Sequence, residues 1–299
     1  MPNGDKITRK QHYIPQVYLR GFSKDYLREN VKNDKYQIYC YELDDKMLPG
    51  RLVPIKSICY KIDLYEVTGE NGDIVMPNHL EQVFSYFEKS FSEYRRKLEN
   101  KAFISSNYKT NCFLTGEEKV FWATYIIVQI LRIPQIIDLA ERIGEEFWKD
   151  YLNDKQIKNV ARMFCLPFFK EMNEEDKEMQ VFASLFEPMK NMTFGIGADT
   201  KSRIITSDKP VFINAKEFPC EEYEKIIFPI SSRLCLYMFG GEYKKKDRKN
   251  FLFPIEESDL EEITKSLSVS AFNKIYSNHV LSKMERRYIK EIINERKSN

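Results

Sequence analysis

The chain has few of the residues on which common catalytic motifs depend. Only 11 of its 299 residues are glycine. The segment closest to a phosphate-binding loop, GIGADTKS at 195–202, carries Thr200 where the glycine before the lysine should stand, so a nucleotide P-loop is not expected. The three histidines are scattered, and no CxxC, HxH or HExxH spacing occurs, so the sequence does not support a zinc site. The GxSxG elbow of serine hydrolases is also missing.

Excess charge and long apolar runs are missing as well. Lysine and arginine total 47 and aspartate and glutamate 45, so the net charge of +2 gives no general attraction to nucleic acid or to an anionic membrane. The amino terminus lacks a signal-peptide core, and no run reaches the ~18 apolar residues of a membrane span. The six cysteines lie far apart, which favours reduced, buried thiols over disulfides. We therefore expect a cytoplasmic protein without a membrane segment.

Hydrophobic periodicity predicts the fold class. Hydrophobic residues make up 42% of the chain, enough for a large core, and no linker or repeat marks a domain boundary. We expect one domain over residues 1–299. Strand-like alternation occurs in 36–67, where Tyr36–Leu43 and Ser57–Val67 are expected to form two antiparallel strands, and again in 193–239; helical periodicity occurs in 77–190 and 256–296. The expected class is α+β, helix-dominated, with a small antiparallel sheet.

The segment Val120–Ile133 is apolar on nearly every side of a helix, which is typical of a buried helix. Arg132 is therefore expected inside the protein, where a carboxylate or several carbonyls must meet its charge. Gln129 should lie on the same helix face, and Pro134 should end or kink the helix just after Arg132. From the residues, Arg132 either binds an anionic substrate or holds Asp208 or Glu81 in a buried pair.

Three further polar residues stand in apolar surroundings. His12, before a short helix that starts at Pro15, is either a general acid or base or a residue that pins that helix. Asp208 lies between two β-branched runs and is either a hairpin turn or a site residue that points inward. Glu81 follows Asn78 by three residues, so it is either a helix cap or a site carboxylate. Glu88, at the edge of an apolar stripe, could reach inward or stay in solvent, and most charged residues at such an edge are solvated.

Several segments together resemble the family known as domain of unknown function 4238. They are HYIPQVYLRGF near the amino terminus, LTGEEKVFWATYIIVQILRIP at 114–134, ITSDKPVFI at 205–213 and FPISSRLCLYMF at 228–239. The family pattern runs His-Tyr-x-Pro, Gln-x-x-Arg-x-Pro, Ser-Asp-x-Pro-Val and Pro-Leu-Ser. The matching residues here are His12, Tyr13, Pro15, Gln129, Arg132, Pro134, Ser207, Asp208, Pro210, Val211, Pro229 and Ser231. Ile230 replaces the leucine, and Leu267–Ala271 lacks the asparagine that the family tends to carry before its last helix-borne alanine. The resemblance implies a shared architecture and supplies no activity.

Two classes of function remain open on the sequence. The first is a nuclease-like hydrolase, acting on a phosphodiester or other anionic substrate as a bacterial defence effector. His12, Asp208 and Glu81 would be catalytic, and Gln129, Arg132, Ser207 and Tyr13 would bind the substrate. Mg²⁺ is an open alternative, because it needs only one or two carboxylates and has no diagnostic spacing. The basic run at 244–249 would guide nucleic acid. The second class is a non-catalytic sensor or protein-interaction module whose buried polar centre only locks the fold.

Overall fold

The computed structural model describes residues 7–28, 30–44, 49–104, 113–164, 181–215, 222–241 and 250–298. The helices are α1 Gln16–Leu19, α2 His79–Ile104, α3 Gly116–Leu131, α4 Pro134–Trp148, α5 Asp154–Phe164, α6 Val181–Lys190, α7 Glu257–Ser270 and α8 Lys283–Ser298. The strands are β1 Lys10–His12, β2 Gln37–Glu42, β3 Arg51–Pro54, β4 Tyr60–Ile62, β5 Thr193–Ala198, β6 Thr206–Ser207, β7 Phe212–Asn214, β8 Lys225–Ser231, β9 Leu234–Phe239, β10 Asn250–Pro254 and β11 Lys274–Ser277. Short 3-10 turns occupy Arg20–Phe22 and Ile55–Ser57. The chain is a mixed α+β protein.

The strands in these ranges form three sheets. One has the order β10-β5-β9-β8-β7, one has the order β3-β2-β11-β6, and the third is the pair β1-β4. The prediction of one small antiparallel sheet is wrong, because β10 pairs with β5 in parallel and the remaining pairs are distributed over separate sheets. The described residues include eleven strands beside eight helices, so the chain is not clearly helix-dominated.

Two expectations about local structure are wrong for identifiable reasons. Ser57–Val67 does not supply a strand partner for β2, because Cys59 takes a left-handed backbone (φ 54°) and β4 then pairs with β1. The segment 256–296, where helical periodicity is expected, is not helical throughout, because α7 ends at Ser270 and Ala271 leaves the helical region at ψ 143°. The segment after it becomes β11, which lies between β2 and β6.

Helix α3 occupies the centre of the molecule, as its all-round apolar sequence predicts. Thr115 and Glu118, three positions apart as the sequence motif of a capping box requires, form that box at its start, and the ten residues from Trp122 to Leu131 are all buried. Pro134 is the first residue of α4 rather than a kink within one helix. Among the described residues no single helix is both long and apolar enough to cross a membrane. Helices α3 and α4 meet that criterion only as a pair, which bends by 68° at its break.

Helix α2 carries two stripes that position the site described below. Its apolar stripe, which the spacing predicts, is buried against the core and comprises Leu80, Phe84, Phe87, Phe91 and Leu98. A polar stripe runs beside it and comprises Glu81, Glu88, Ser92, Arg95 and Glu99, at steps of seven, four, three and four residues. These steps return to one side of an α-helix, so one wall of about 27 Å is lined with polar groups.

Candidate active site

A large cleft opens between the polar stripe of α2 and the amino-terminal segment of the chain. Its volume is about 1410 Å³. We call it the His12 cleft. The cationic residues that line it are Lys10, Arg20, Lys56, Lys89, Arg95 and Arg96, and the acidic ones are Glu81, Glu88, Glu93 and Glu99. His12 also lines the cleft. The Lys and Arg side chains on its walls outnumber the Glu side chains.

Arg132 lies behind this cleft and holds two of its parts together. Its side chain is 1% exposed, and its Nη1 and Nη2 donate to Glu88 Oε1 at 3.2 and 3.3 Å. Nη2 also donates to the backbone carbonyl of His12 at 2.6 Å. The guanidinium lies 4.3 Å from the centroid of the Phe84 ring. The predicted burial of Arg132 is confirmed, and a carboxylate meets its charge. That carboxylate is Glu88, the residue that could reach inward from the edge of the stripe, and the predicted pairs with Asp208 or Glu81 are wrong.

His12 presents an unpaired ring nitrogen in the cleft. Its Nε2 is buried and has no hydrogen-bond partner. Burial is the largest cause that lowers the pKa of His12 from 6.5 to about 4, and the charges of Arg132 and Lys10 add to it, while a backbone hydrogen bond with Lys56 opposes it. The imidazole is therefore neutral at pH 7, and a neutral imidazole can accept a proton.

Glu81 has the opposite shift in the same cleft. Its Oε1 is buried and has no hydrogen-bond partner. The backbone N–H of Asn78, which a capping carboxylate would bind, donates to Glu66 at 3.3 Å instead. Burial raises the pKa of Glu81 from 4.5 to about 7, the charges of Glu88 and Glu66 raise it further, and Arg132 opposes the rise. Close to half of these carboxyl groups then carry a proton at neutral pH, which is the state of a general acid.

The far end of the cleft is built by residues that sequence reasoning missed. Arg95 Nη1 donates to the carbonyl of Val17 at 2.9 Å, and its guanidinium lies over the rings of Tyr26 and Phe91. Glu99 accepts hydrogen bonds from Tyr26 and from Ser231 Oγ, the latter at 2.6 Å. The spacing of seven, four, three and four residues between polar side chains of α2 is the sequence signal that could have identified both Arg95 and Glu99. Ser231, in the last of the family-like segments, is fully buried and thus contacts a wall residue of the cleft from behind.

Gly21 explains how the chain fits tightly at this end. A Cβ on Gly21 would lie 2.9 Å from Arg95 Nη1 and 3.1 Å from Ser231 Cβ. The backbone carbonyl of Gly21 also accepts a hydrogen bond from the backbone of Ser232 at 2.9 Å. Only a residue without a side chain lets the short 3-10 turn approach both α2 and β8 this closely.

Asp208 and Ser207 do not line the cleft. Asp208 is 4% exposed, and its carboxylate accepts from the backbone N–H groups of Phe272 and Asn273 at 2.8 and 2.9 Å. Burial raises the pKa of Asp208, and its backbone hydrogen bonds oppose that rise. Ser207 Oγ donates to the carbonyl of Lys209 at 2.7 Å. The predicted hairpin is wrong, because β6 and β7 belong to different sheets and this turn carries the chain between them.

Tyr13 follows His12 in the chain but points to a different group of residues. Its side chain hydrogen-bonds with Cys59, whose thiol donates to Tyr276 Oη at 3.1 Å. Burial is the main cause that raises the pKa of Tyr13 well above its usual range and that of the Cys59 thiol to about 12. Both side chains therefore stay protonated, and Cys59 is not a nucleophile. Cys40 and Cys235 are likewise buried free thiols.

Gln129 lies away from the contacts of Arg132, although the two residues are only three positions apart in the chain. It lines a second cavity, of about 330 Å³, on the side of α3 that faces Lys209–Ala215. Among the residues that the structure describes, no group of three or more His, Cys, Asp or Glu side chains is placed to hold a metal ion. The basic run at 244–249 lies outside the described residues. The structure therefore brings His12 and Glu81 into one cleft, with Arg132 behind it, and places Asp208, Ser207, Tyr13 and Gln129 elsewhere.

Comparison with known proteins gives one match. The family model described as a protein of unknown function (DUF4238) matches residues 10–280. No curated protein and no solved structure matches the chain. The matched range includes every residue of the His12 cleft except Thr8 at its edge.

Proposed function

Because this chain belongs to the DUF4238 family, whose description assigns no activity, we propose a function from the His12 cleft itself: a nuclease-like hydrolase that cleaves a phosphodiester or a similar anionic ester. The observation that carries the proposal is that one cleft is lined by an imidazole and a carboxyl group that each have a buried polar atom without a partner. Burial shifts their pKa values in opposite directions, to about 4 for His12 and about 7 for Glu81. Titratable groups whose environments push their pKa values apart are typical of acid–base catalysis.

The proposed reaction needs one base and one acid. His12 Nε2 takes a proton from the attacking oxygen, of water or of a neighbouring hydroxyl, as that oxygen bonds to phosphorus. The bond between phosphorus and the leaving oxygen then breaks, and Glu81 gives its proton to that oxygen. Lys10, Arg20 and Lys56, which line the same cleft, neutralise the charge that develops on the phosphoryl oxygens.

Arg132 has a positioning role in this scheme. It is enclosed and already donates to Glu88 and to the His12 backbone, so it fixes the base rather than the substrate. Asp208 supports the turn between the two larger sheets, and the proposed chemistry does not use it. The acid–base pair also does not require Mg²⁺, so we expect a chelator to leave the activity in place.

A cleavage assay with purified protein tests the proposal. Single-stranded RNA, single-stranded DNA and bis(4-nitrophenyl) phosphate serve as substrates, with and without EDTA. We expect cleavage that falls by ~100-fold or more in His12→Ala and in Glu81→Gln, as removal of a general base or acid does. His79→Ala and Glu145→Gln, on exposed positions outside the cleft, are the matched controls. Equal activity in the His12 and control variants refutes the assignment. Loss of activity in EDTA would show that the reaction depends on a metal ion and would refute the metal-free mechanism.

A second candidate function is that of a non-catalytic sensor or interaction module, and one observation favours it. Leu139, Ile143, Phe147 and Tyr151 recur every four residues along and just beyond α4, and all four are exposed. An apolar stripe of this kind is typical of a contact surface. If Ile143→Ser abolishes the cellular effect of the protein while His12→Ala retains it, this function replaces the hydrolase.

The cellular setting is part of the same proposal. We infer a cytoplasmic protein that acts as one helix-rich domain and serves as an effector in bacterial defence. The support for one domain is a single cluster of buried apolar side chains that takes residues from the amino-terminal segment, from α2 and α3, and from the two larger sheets. A phage-challenge assay that compares cells with the unaltered protein and with His12→Ala tests the defence role, because a catalytic effector should lose protection.

A further inference from the structure

The second cavity contains an unusual group for the interior of a protein. Gln129 is 1% exposed, yet neither its Oε1 nor its Nε2 has a hydrogen-bond partner. An amide that is buried without partners lowers the stability of the folded state, and buried polar groups of this kind are rare. The side chain lines a cavity of about 330 Å³, which is within the size range of small-molecule sites. A ligand in this cavity could supply the partners that both atoms lack.

The walls of this cavity define what could enter it. Apolar side chains form most of the lining, among them Ile133, Val211 and Phe212, and Lys209 also lines it. Burial lowers the pKa of Lys209, and the charge of Arg296 adds to that effect. Lys209 Nζ lies over the ring of Phe272, 5.6 Å from its centroid. No ion pair involving Lys209 is found in the part of the chain that the structure describes, so an anion could still pair with it. Half-exposed Val269 lies at the opening.

From this geometry we propose that the Gln129 cavity binds a nucleotide, with the base against Gln129 and the phosphate near Lys209. A carboxamide offers one acceptor beside one donor. It is complementary to a planar ring edge that carries a donor beside an acceptor, as a nucleobase does, and glutamine forms such a bidentate pair with adenine. The apolar walls accept the faces of the base. A simple carboxylate fits less well, because it would leave Gln129 Oε1 without a donor.

This site stands apart from the proposed hydrolase. The two sites share no lining residue, so one can fail while the other holds. The ligand chemistry can come from a free nucleotide or from a base within a strand. Calorimetric titrations with AMP, GMP, CMP and UMP, and with a short oligoadenylate, distinguish these sources.

We expect at least one of the four mononucleotides to bind and to raise the melting temperature. If AMP binds, its N6,N6-dimethyl form should bind at least tenfold more weakly, because the methyl groups remove the donor that Gln129 Oε1 requires. Gln129→Leu should abolish binding. Lys209→Met should reduce the affinity for AMP more than the affinity for adenosine, because adenosine has no phosphate. Gln82→Leu is the matched control. Gln82 is exposed on α2, so this variant should bind the nucleotides as the unaltered protein does.

A second readout keeps the proposal testable without any ligand. Gln129→Leu removes the two unpaired polar atoms while it keeps an apolar side chain of similar length, so the ligand-free variant should melt at a higher temperature than the unaltered protein. If the variant melts lower and no nucleotide or oligonucleotide binds, the amide is satisfied by ordered water alone and the proposal is wrong. Binding that survives Gln129→Leu unchanged also overturns it.

Discussion

Replacing Glu81 by glutamine should stabilise the protein at pH 8 and leave its stability nearly unchanged at pH 4.5. The pKa of Glu81 is raised from 4.5 to about 7, so in this interval the folded chain holds a proton that the unfolded chain releases. Stability contributed by this group is therefore present below pH 4.5 and is lost as the pH rises through 7. The difference corresponds to about 3 kcal/mol at pH 8. Glutamine has the shape of the protonated carboxyl and does not ionise.

His12 changes the free energy of unfolding with pH in the opposite direction, which gives the experiment a second feature to test. Its pKa is lowered from 6.5 to about 4, so the unfolded chain holds the extra proton in that interval and stability rises with pH. In the unaltered protein these two contributions cancel between about pH 4.5 and 6.5. Glu81→Gln removes one of them, so its stability should climb across this interval by up to about 3 kcal/mol.

Urea unfolding at pH 4.5, 5.5, 6.5 and 8, followed by the fluorescence of buried Trp122, measures both effects. Glu145→Gln, on the exposed side of α4, controls for the loss of one negative charge and should show no pH-dependent gain. A Glu81→Gln variant that is less stable than the unaltered protein at pH 8 would mean that the folded state prefers the carboxylate. The general-acid assignment would then fail.

Other consequences can be measured with the same material. Hydrolase activity should be highest between pH 4 and 7 and fall by ~30-fold at pH 8.5, because the acid is then largely ionised; a profile that rises to pH 9 contradicts this. Arg132→Lys should cost about 2–4 kcal/mol in urea unfolding, because an ammonium group cannot reach both of the partners that the guanidinium contacts; a change below the error of the fit opposes the anchoring role. Gly21→Ala should cost about 1–3 kcal/mol by displacing its close neighbours, whereas Gly116→Ala, which meets nothing within 4 Å, should be neutral or stabilising. Asp208→Asn should lower stability by about 1–3 kcal/mol, since one backbone N–H loses its acceptor. It should leave the pH profile of the activity unchanged, and a shifted profile would mean that Asp208 takes part in the reaction.

Local signals in the sequence predicted the helical centre well. The all-apolar run, the capping box at Thr115 and the proline after Arg132 are properties of a few neighbouring residues, and each determines its structure without help from distant parts of the chain. The burial of Arg132 followed from the same run. The apolar stripe of α2 is equally local, because one helix period generates it.

The partners of these elements could not be predicted in the same way. Glu88 and Arg132 are 44 residues apart, and several carboxylates were equally suitable by chemistry alone. The turn at Asp208 looked like a hairpin because its flanks are β-branched, yet the two flanking strands pair in different sheets. Register and pairing depend on surfaces that only the folded chain brings together. The same reason explains why Gln129 and Arg132 line different spaces.

The structural lock and the catalytic site that we propose, which the sequence leaves as alternatives, are compatible with each other in this structure. Arg132 is the lock, because its hydrogen bonds tie the backbone of His12 to α2. Its charge also helps to lower the pKa of His12 and limits the rise in the pKa of Glu81. A lock alone would not need a buried imidazole nitrogen and a buried carboxyl oxygen without partners, since both cost stability. Unpaired groups of this kind persist where the surrounding contacts over-determine them, and they cluster at functional sites. The cost therefore favours a cleft that the lock holds ready for a ligand.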